Sequence, residues 1–166
     1  YATLDQETAE GCFYTLPRGG KTIQGPSVRL AEIAVACFTN LRAQTRVLQV
    51  VTGENPHVVV QAICMDMENN VTITIEKRRR IVGKKSKGGA IDEDDINLAA
   101  NAGSAIAFRD AVFKVIPLAL IKPVFDAARK VAVGDVKTLV DRRARAIDSF
   151  AKMSVSKEKI LAKLGK

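Results

Sequence analysis

The hydrophobic repeat of this chain changes period twice, and that change restricts the fold more than any other feature. Residues 26–39, "PSVRLAEIAVACFT", place Val28, Ala31, Ala34 or Val35, and Phe38 at helical spacing behind Pro26, a residue favoured where helices begin. They predict a helix from about Pro26 to Thr39. The period then drops to two. "RAQTRVLQVVT" (42–52) and "HVVVQAICMDME" (57–68) read as strands joined by "GENP", and a second tight turn, "ENN", leads into "VTITIEKRRRIV" (71–82). In that last segment Val71, Ile73 and Ile75 fall on one face and Thr72, Thr74 and Glu76 on the other. The pattern predicts an antiparallel three-stranded meander with one face seeking a helix to cover it.

Helical spacing returns after "DEDD" (92–95), four acids suited to the positive end of a helix dipole. Ile96 to Ile116 is apolar on most of its circumference, with Asn97, Asn101 and Ser104 as a narrow polar stripe, which predicts a buried helix. One of its faces can cover the sheet. The remainder needs the first helix, the later helices or a neighbouring subunit, so oligomerisation is expected. Pro117 and Pro123 break the pattern, "VFDAARKVA" (124–132) forms a short helix closed by Gly134, and Asp135 caps the next. In that next helix Leu139, Val140, Ala144, Ile147 and Phe150 form the buried stripe, with Arg142, Arg143 and Arg145 mostly outside it. "SVSKEKILAKLG" adds a last amphipathic helix, while "LPRGGKTIQGP" makes residues 1–25 irregular.

The expected fold class is therefore α+β: an N-terminal helix, a three-stranded antiparallel β-meander, a long central helix, then C-terminal helices. Residues 1–25 form an irregular segment, 26–134 the α-β-β-β-α core and 135–166 a C-terminal helical extension. A chain of 166 residues suits one core rather than two. The start at Tyr1 and the end in mid-pattern on "LAKLGK" fit a piece of a longer polypeptide. No segment has the apolar length of a membrane span and no signal pattern opens the chain, so a cytoplasmic location away from membranes is expected. Cys12, Cys37 and Cys64 are odd in number and widely spaced, and are expected to be buried free thiols.

Composition matters most through the distribution of charge. The chain carries +8 overall, yet residues 77–87 alone hold +7 and residues 137–166 hold +6, leaving −5 for the rest. A mildly acidic body with two concentrated basic zones is an electrostatic footprint for a polyanion; solubilising patches are the plainer alternative.

Enzyme chemistry is not offered. "RGGKT" (18–22) resembles a phosphate loop only superficially, because Thr15 stands where the motif needs glycine and neither the preceding strand nor the following helix is expected. His57, the single histidine, has no nucleophile that spacing would pair with it. Four consecutive acids do not bring carboxylates together from separate elements, as a two-metal site requires. No enzyme, metal or cofactor is therefore expected.

The cationic run is different. Lys77, Arg78, Arg79 and Arg80 continue a strand, so alternate side chains take opposite faces and cannot all decorate a loop. A strand end overhanging its neighbours, followed by a flexible loop bearing Lys84, Lys85 and Lys87, suits a phosphate backbone. Aromatic residues are 5% and Trp is absent, so base stacking has little support.

The order of elements, with cations at the third strand and later helices, resembles phage single-strand annealing proteins of the RecT/Red-beta class and the Rad-type annealing protein. "GPSVRLAEIA" (25–34) is similar to a first-helix motif of such proteins, "AIAFRDAVFKVIPLALIKPVFDAARKVAVGD" (105–135) to a second helical block, and "SFAKMSVSKEKILAKLG" to their small helical end. The resemblance implies ATP-independent annealing of single-stranded DNA in homologous recombination, by homo-oligomeric rings or filaments holding single strand and annealed duplex in a basic groove. It also implies a bacteriophage protein at work in a bacterial cell, a phage exonuclease as partner, and Arg109 and Lys114 as further DNA-facing residues. An oligomeric structural or adaptor protein binding an acidic partner is the alternative, with a nuclease third.

Overall fold

The computed structural model describes residues 5–83, 90–134 and 136–163. The meander is present as β3 (Leu41–Val51), β4 (His57–Asp66) and β5 (Val71–Arg80), antiparallel in the order β3-β4-β5. Before it come α1 (Gln6–Gly11), the hairpin β1 (Phe13–Arg18) and β2 (Lys21–Pro26), and α2 (Val28–Cys37). After it come the long α3 (Glu93–Val115), α4 (Leu118–Val133), α5 (Val136–Lys152) and α6 (Lys157–Lys163). The fold class is α+β, as the change of period predicts.

Burial explains why β4 is the centre of the sheet. Its alternate residues Val58, Val60, Ala62 and Cys64 are fully buried, because α3 lies across them with Ala99, Gly103, Ala107 and Ala111 turned inward. These four residues recur every fourth position and so form one stripe of a helix. Their smallness lets the helix backbone come close to the sheet. At Gly103 the approach is limiting: a Cβ there would lie 3.0 Å from Val60 Cγ2 and 3.5 Å from Arg79 Cβ. α2 packs against another side of α3 and α4 packs on α1. The excess apolar surface of α3 is thus partly covered within the chain, although Leu98 remains 69% exposed.

Local signals start the helices. Ser27 caps α2 by accepting from the Arg29 and Leu30 N–H groups, and its hydroxyl donates to the Gly11 carbonyl, tying the end of α1 to the start of α2. Ser27→Ala is expected to cost about 1 to 2 kcal/mol, read as a lower denaturant midpoint at unchanged slope. Asp92 and Asp95 form a reciprocal capping box at the head of α3. The acids at 92–95 are therefore a helix start, and Asp95 is buried in that role.

Several expectations need correction. Residues 1–25 are not irregular over their described part: the turn formers build a hairpin registered from Phe13↔Pro26 to Arg18↔Lys21. Gly19 (φ 58°) and Gly20 (φ 76°) make its two-residue turn, where both residues need positive φ. "RGGKT" is that turn. Pro117 does separate α3 from α4, but Pro123 lies inside α4, in its second turn, where it removes the backbone hydrogen bond that position would give to Ala119 without ending the helix. Phe38 falls just past α2, and Leu30, Ala31 and Ala34 take the buried positions. Cys12 and Cys64 are buried, and burial pushes both thiols up, but Cys37 is exposed.

Of the described residues in the stripe expected to be buried on α5, Val140 is 72% exposed, Ala144 and Phe150 are exposed and Ile147 is half-buried; Phe150 shares a recess with Val155 and with Ile160 of α6. Arg142 leaves the solvent face to donate to the Val131 and Ala132 carbonyls, closing the C-terminus of α4. Asp135 and the side chain of Leu139 lie outside the described residues. Among the described residues no helix is long and apolar enough to cross a membrane.

Candidate nucleic-acid interface

The register of β5 decides which cations share a face. Arg79 lies opposite Val58 and Lys77 opposite Val60, so both belong to the face that α3 covers. Arg80 lies opposite His57 and Arg78 opposite Val59, which puts them on the other face. The strand does not overhang its neighbour, contrary to expectation. Pairing runs to Arg80, and Ile81 continues inward, its N–H donating to the Pro56 carbonyl and its side chain buried. A strand with cations on its inner face can stay paired because each inner cation is accommodated by α3.

Lys77 is accommodated by an ion pair, its Nζ 2.9 Å from Asp110 Oδ2. Arg109 donates to the same carboxylate from Nη2 at 2.7 Å and Nε at 3.0 Å, and its guanidinium sits 5.0 Å from the centre of the Tyr14 ring. That ring in turn lies across Gly25, where a Cβ would come within 2.7 Å of its hydroxyl. Lys77 and Arg109 thus join β5, α3 and the N-terminal hairpin. Arg79 is accommodated differently, its stem passing beside Gly103.

Burial pushes the Asp110 carboxyl up, but hydrogen bonds from Lys77 and Arg109, with their charges, outweigh it and hold it below the usual carboxylate range. A depressed folded value means that this stabilisation is fully present above the unfolded aspartate value of about 3.9 and is lost as pH falls through the lower folded value. Asp110→Asn is expected to lower stability at neutral pH and to flatten the acid limb of a stability–pH curve below about pH 4. Unfolding midpoints at several pH values check both.

Arg78 and Arg80 are exposed on the open face. Apart from His57, none of the side chains of that face is buried. A polar row crosses all three strands: Arg46 Nε donates to Gln61 Oε1 at 3.1 Å, and Gln61 Nε2 donates to Glu76 Oε1 at 3.2 Å. Arg42 and Arg46 of β3 belong to the same face, so within the strands it carries four arginines against one carboxylate, Glu76. Arg42 and Arg46 did not figure among the expected contacts. The signal for them is the alternation of polar residues at 42, 44 and 46 in "RAQTR".

Among the described residues the side chains of Arg79, Arg80 and Lys114 make no hydrogen bond or ion pair. Lys114 is exposed in the last turn of α3, a favourable place for a cation beside the helix C-terminus. The site residues expected from sequence are therefore divided: Arg78 and Arg80 on the open face, Lys77 and Arg79 on the helix side, Arg109 in the Asp110 cluster, and Lys114 at a helix end. Lys84, Lys85 and Lys87 lie outside the described residues. Among the described residues no group of three or more His, Cys, Asp or Glu side chains is placed to hold a metal ion.

The site so defined is an open, arginine-bearing sheet face backed by a long helix. No family model, no curated protein and no solved structure matches the chain.

Proposed function

We propose that the protein binds single-stranded DNA by its phosphates on the open sheet face and anneals it to a complementary strand without ATP. The observation that carries this reading is the pair Arg78 and Arg80, exposed on β5 at one edge of the open face, whose other edge strand carries Arg42 and Arg46 and whose strands bring one carboxylate to it, Glu76. Arginine forks hold phosphate oxygens in two-point contacts, whereas the scarcity of aromatic residues on the sheet argues against base stacking. In this role the protein is not an enzyme and needs no cofactor. Base pairing supplies specificity, and the protein supplies charge and geometry.

The working form is an oligomer, ring or filament, that extends the face into a continuous groove for the single strand and the annealed duplex. The exposed apolar residues Leu118 and Leu120 of α4 and Val140 of α5 supply surface for such contacts. The setting is phage recombination in the bacterial cytoplasm, with an exonuclease supplying the single strands. The same apolar surface favours the second reading, an oligomeric adaptor for an acidic protein partner.

Mobility shift of a labelled single-stranded oligonucleotide across a salt series tests the choice. Binding that is tolerant of sequence and falls with log salt by about 0.7 per phosphate contact supports the proposal. No binding to any strand, with capture of an acidic protein instead, favours the adaptor. Strand cleavage in magnesium overturns both.

A further inference from the structure

We propose that Asn55, His57, Arg78 and Arg80 form a discrete seat for one phosphate group at one end of the open face, an inference that rests on reading this face as a phosphate-binding surface. Asn55, with φ 57°, turns the chain before β4 and brings its carbonyl oxygen 2.6 Å from His57 Nδ1. A carbonyl only accepts, so Nδ1 carries the hydrogen and donates it. Arg78 Nη2 lies 3.2 Å from that same nitrogen, and a guanidinium is also only a donor. The contact is therefore two donors side by side. His57 gives Arg78 no acceptor, and among the described residues the Arg78 side chain makes no other hydrogen bond or ion pair.

The surroundings fit an oxyanion. Arg80 lies directly across from His57, and Arg78 is about 6.8 Å from it along the strand on the same face. These groups open onto a recess of about 440 Å³ lined, among the described residues, by Asn55, Pro56, His57, Arg78 and Arg80, none of them a carboxylate. Glu76 lines the adjoining recess, also bordered by Arg78, and its Oε1 is occupied by Gln61. An anion in the first recess supplies the acceptors that Arg78 and Arg80 lack and relieves the donor–donor contact. A tetrahedral phosphate group suits this better than a planar carboxylate, because it offers oxygens to two guanidinium groups approaching from different residues.

The single histidine makes the seat directly observable, because its ring C2–H proton gives one NMR signal that needs no assignment. Inorganic phosphate is titrated into the full chain at one fixed pH against sodium chloride of matched ionic strength, and a short oligothymidylate is titrated separately. The expected result is a saturable movement of the His57 signal with phosphate, none with chloride, and saturation by the oligonucleotide at least about tenfold lower in concentration, since neighbouring cations hold its other phosphates. Both Arg78→Ala and Arg80→Ala, exposed positions checked for folding by circular dichroism, abolish the movement. No saturable movement in the wild type, or an undiminished one in Arg78→Ala, overturns the seat. Tight oligonucleotide binding with a silent His57 removes the seat and leaves the nucleic-acid reading standing. A phosphate response without oligonucleotide binding removes that reading and leaves an anion seat.

Discussion

Gly103→Leu is expected to destabilise the protein by about 3 kcal/mol, lowering the thermal midpoint by about 6 to 12 °C for a chain of this size. The reason is the seam between α3 and the sheet. Even a lone Cβ at this position would stand 3.0 Å from Val60 Cγ2, and Val60 is fully buried and cannot move outward. A leucine side chain has no space except by lifting α3 from β4, which uncovers the Val58, Val60 and Ala62 stripe. Gly103→Ala separates packing from propensity. It gains about 1 kcal/mol of helix propensity and loses a similar amount in the strained Val60 contact, so its midpoint stays near the wild type. Thermal unfolding followed by circular dichroism measures both variants.

The second large effect concerns binding. Arg78→Ala/Arg80→Ala is expected to weaken single-strand affinity about tenfold to a hundredfold at low salt, equally for all sequences, and to reduce the salt slope by about 1.4, the value for two lost contacts to a single strand. Lys77→Ala should leave that slope almost unchanged, because Lys77 is held by Asp110 on the other face of the sheet. Its cost appears in stability instead. Affinity and slope measured for the two variants side by side separate the faces, and equal losses for both would remove the distinction.

The meander is legible in the sequence because its strands alternate, and α3 because it is a long helical segment apolar on most of its circumference. The alternation Val58, Val60, Ala62, Cys64 and the fourth-residue spacing of Ala99, Gly103, Ala107 and Ala111 both survive into the fold. The N-terminal hairpin is less legible. Its strands are short, and most of their described residues are exposed, so no apolar alternation marks them; only the Gly19-Gly20 turn does. Pro123 misleads because it removes one hydrogen bond without ending the helix, and α4 runs on for ten residues beyond it.

The candidate site is half legible for a related reason. Alternation separates Lys77 and Arg79 from Arg78 and Arg80 and puts the first pair on the face of Val71, Ile73 and Ile75. What it does not show is the partner that lets a cation stay there, because Asp110 is distant along the chain. The role of Arg109 is hidden likewise: its partner Asp110 is adjacent, but the Tyr14 ring that it covers comes from the N-terminal hairpin. Arg42 and Arg46 become visible as part of the site only once β3 is placed beside β4 with its open side exposed.

The most direct test of the central claim is the rate at which complementary labelled strands anneal in the absence of any nucleotide triphosphate. The account predicts that the wild-type protein accelerates annealing well above the spontaneous rate, and that Arg78→Ala/Arg80→Ala, folded to the same thermal midpoint, returns it close to that rate. No acceleration by the wild type, or equal acceleration by the double variant, would contradict it.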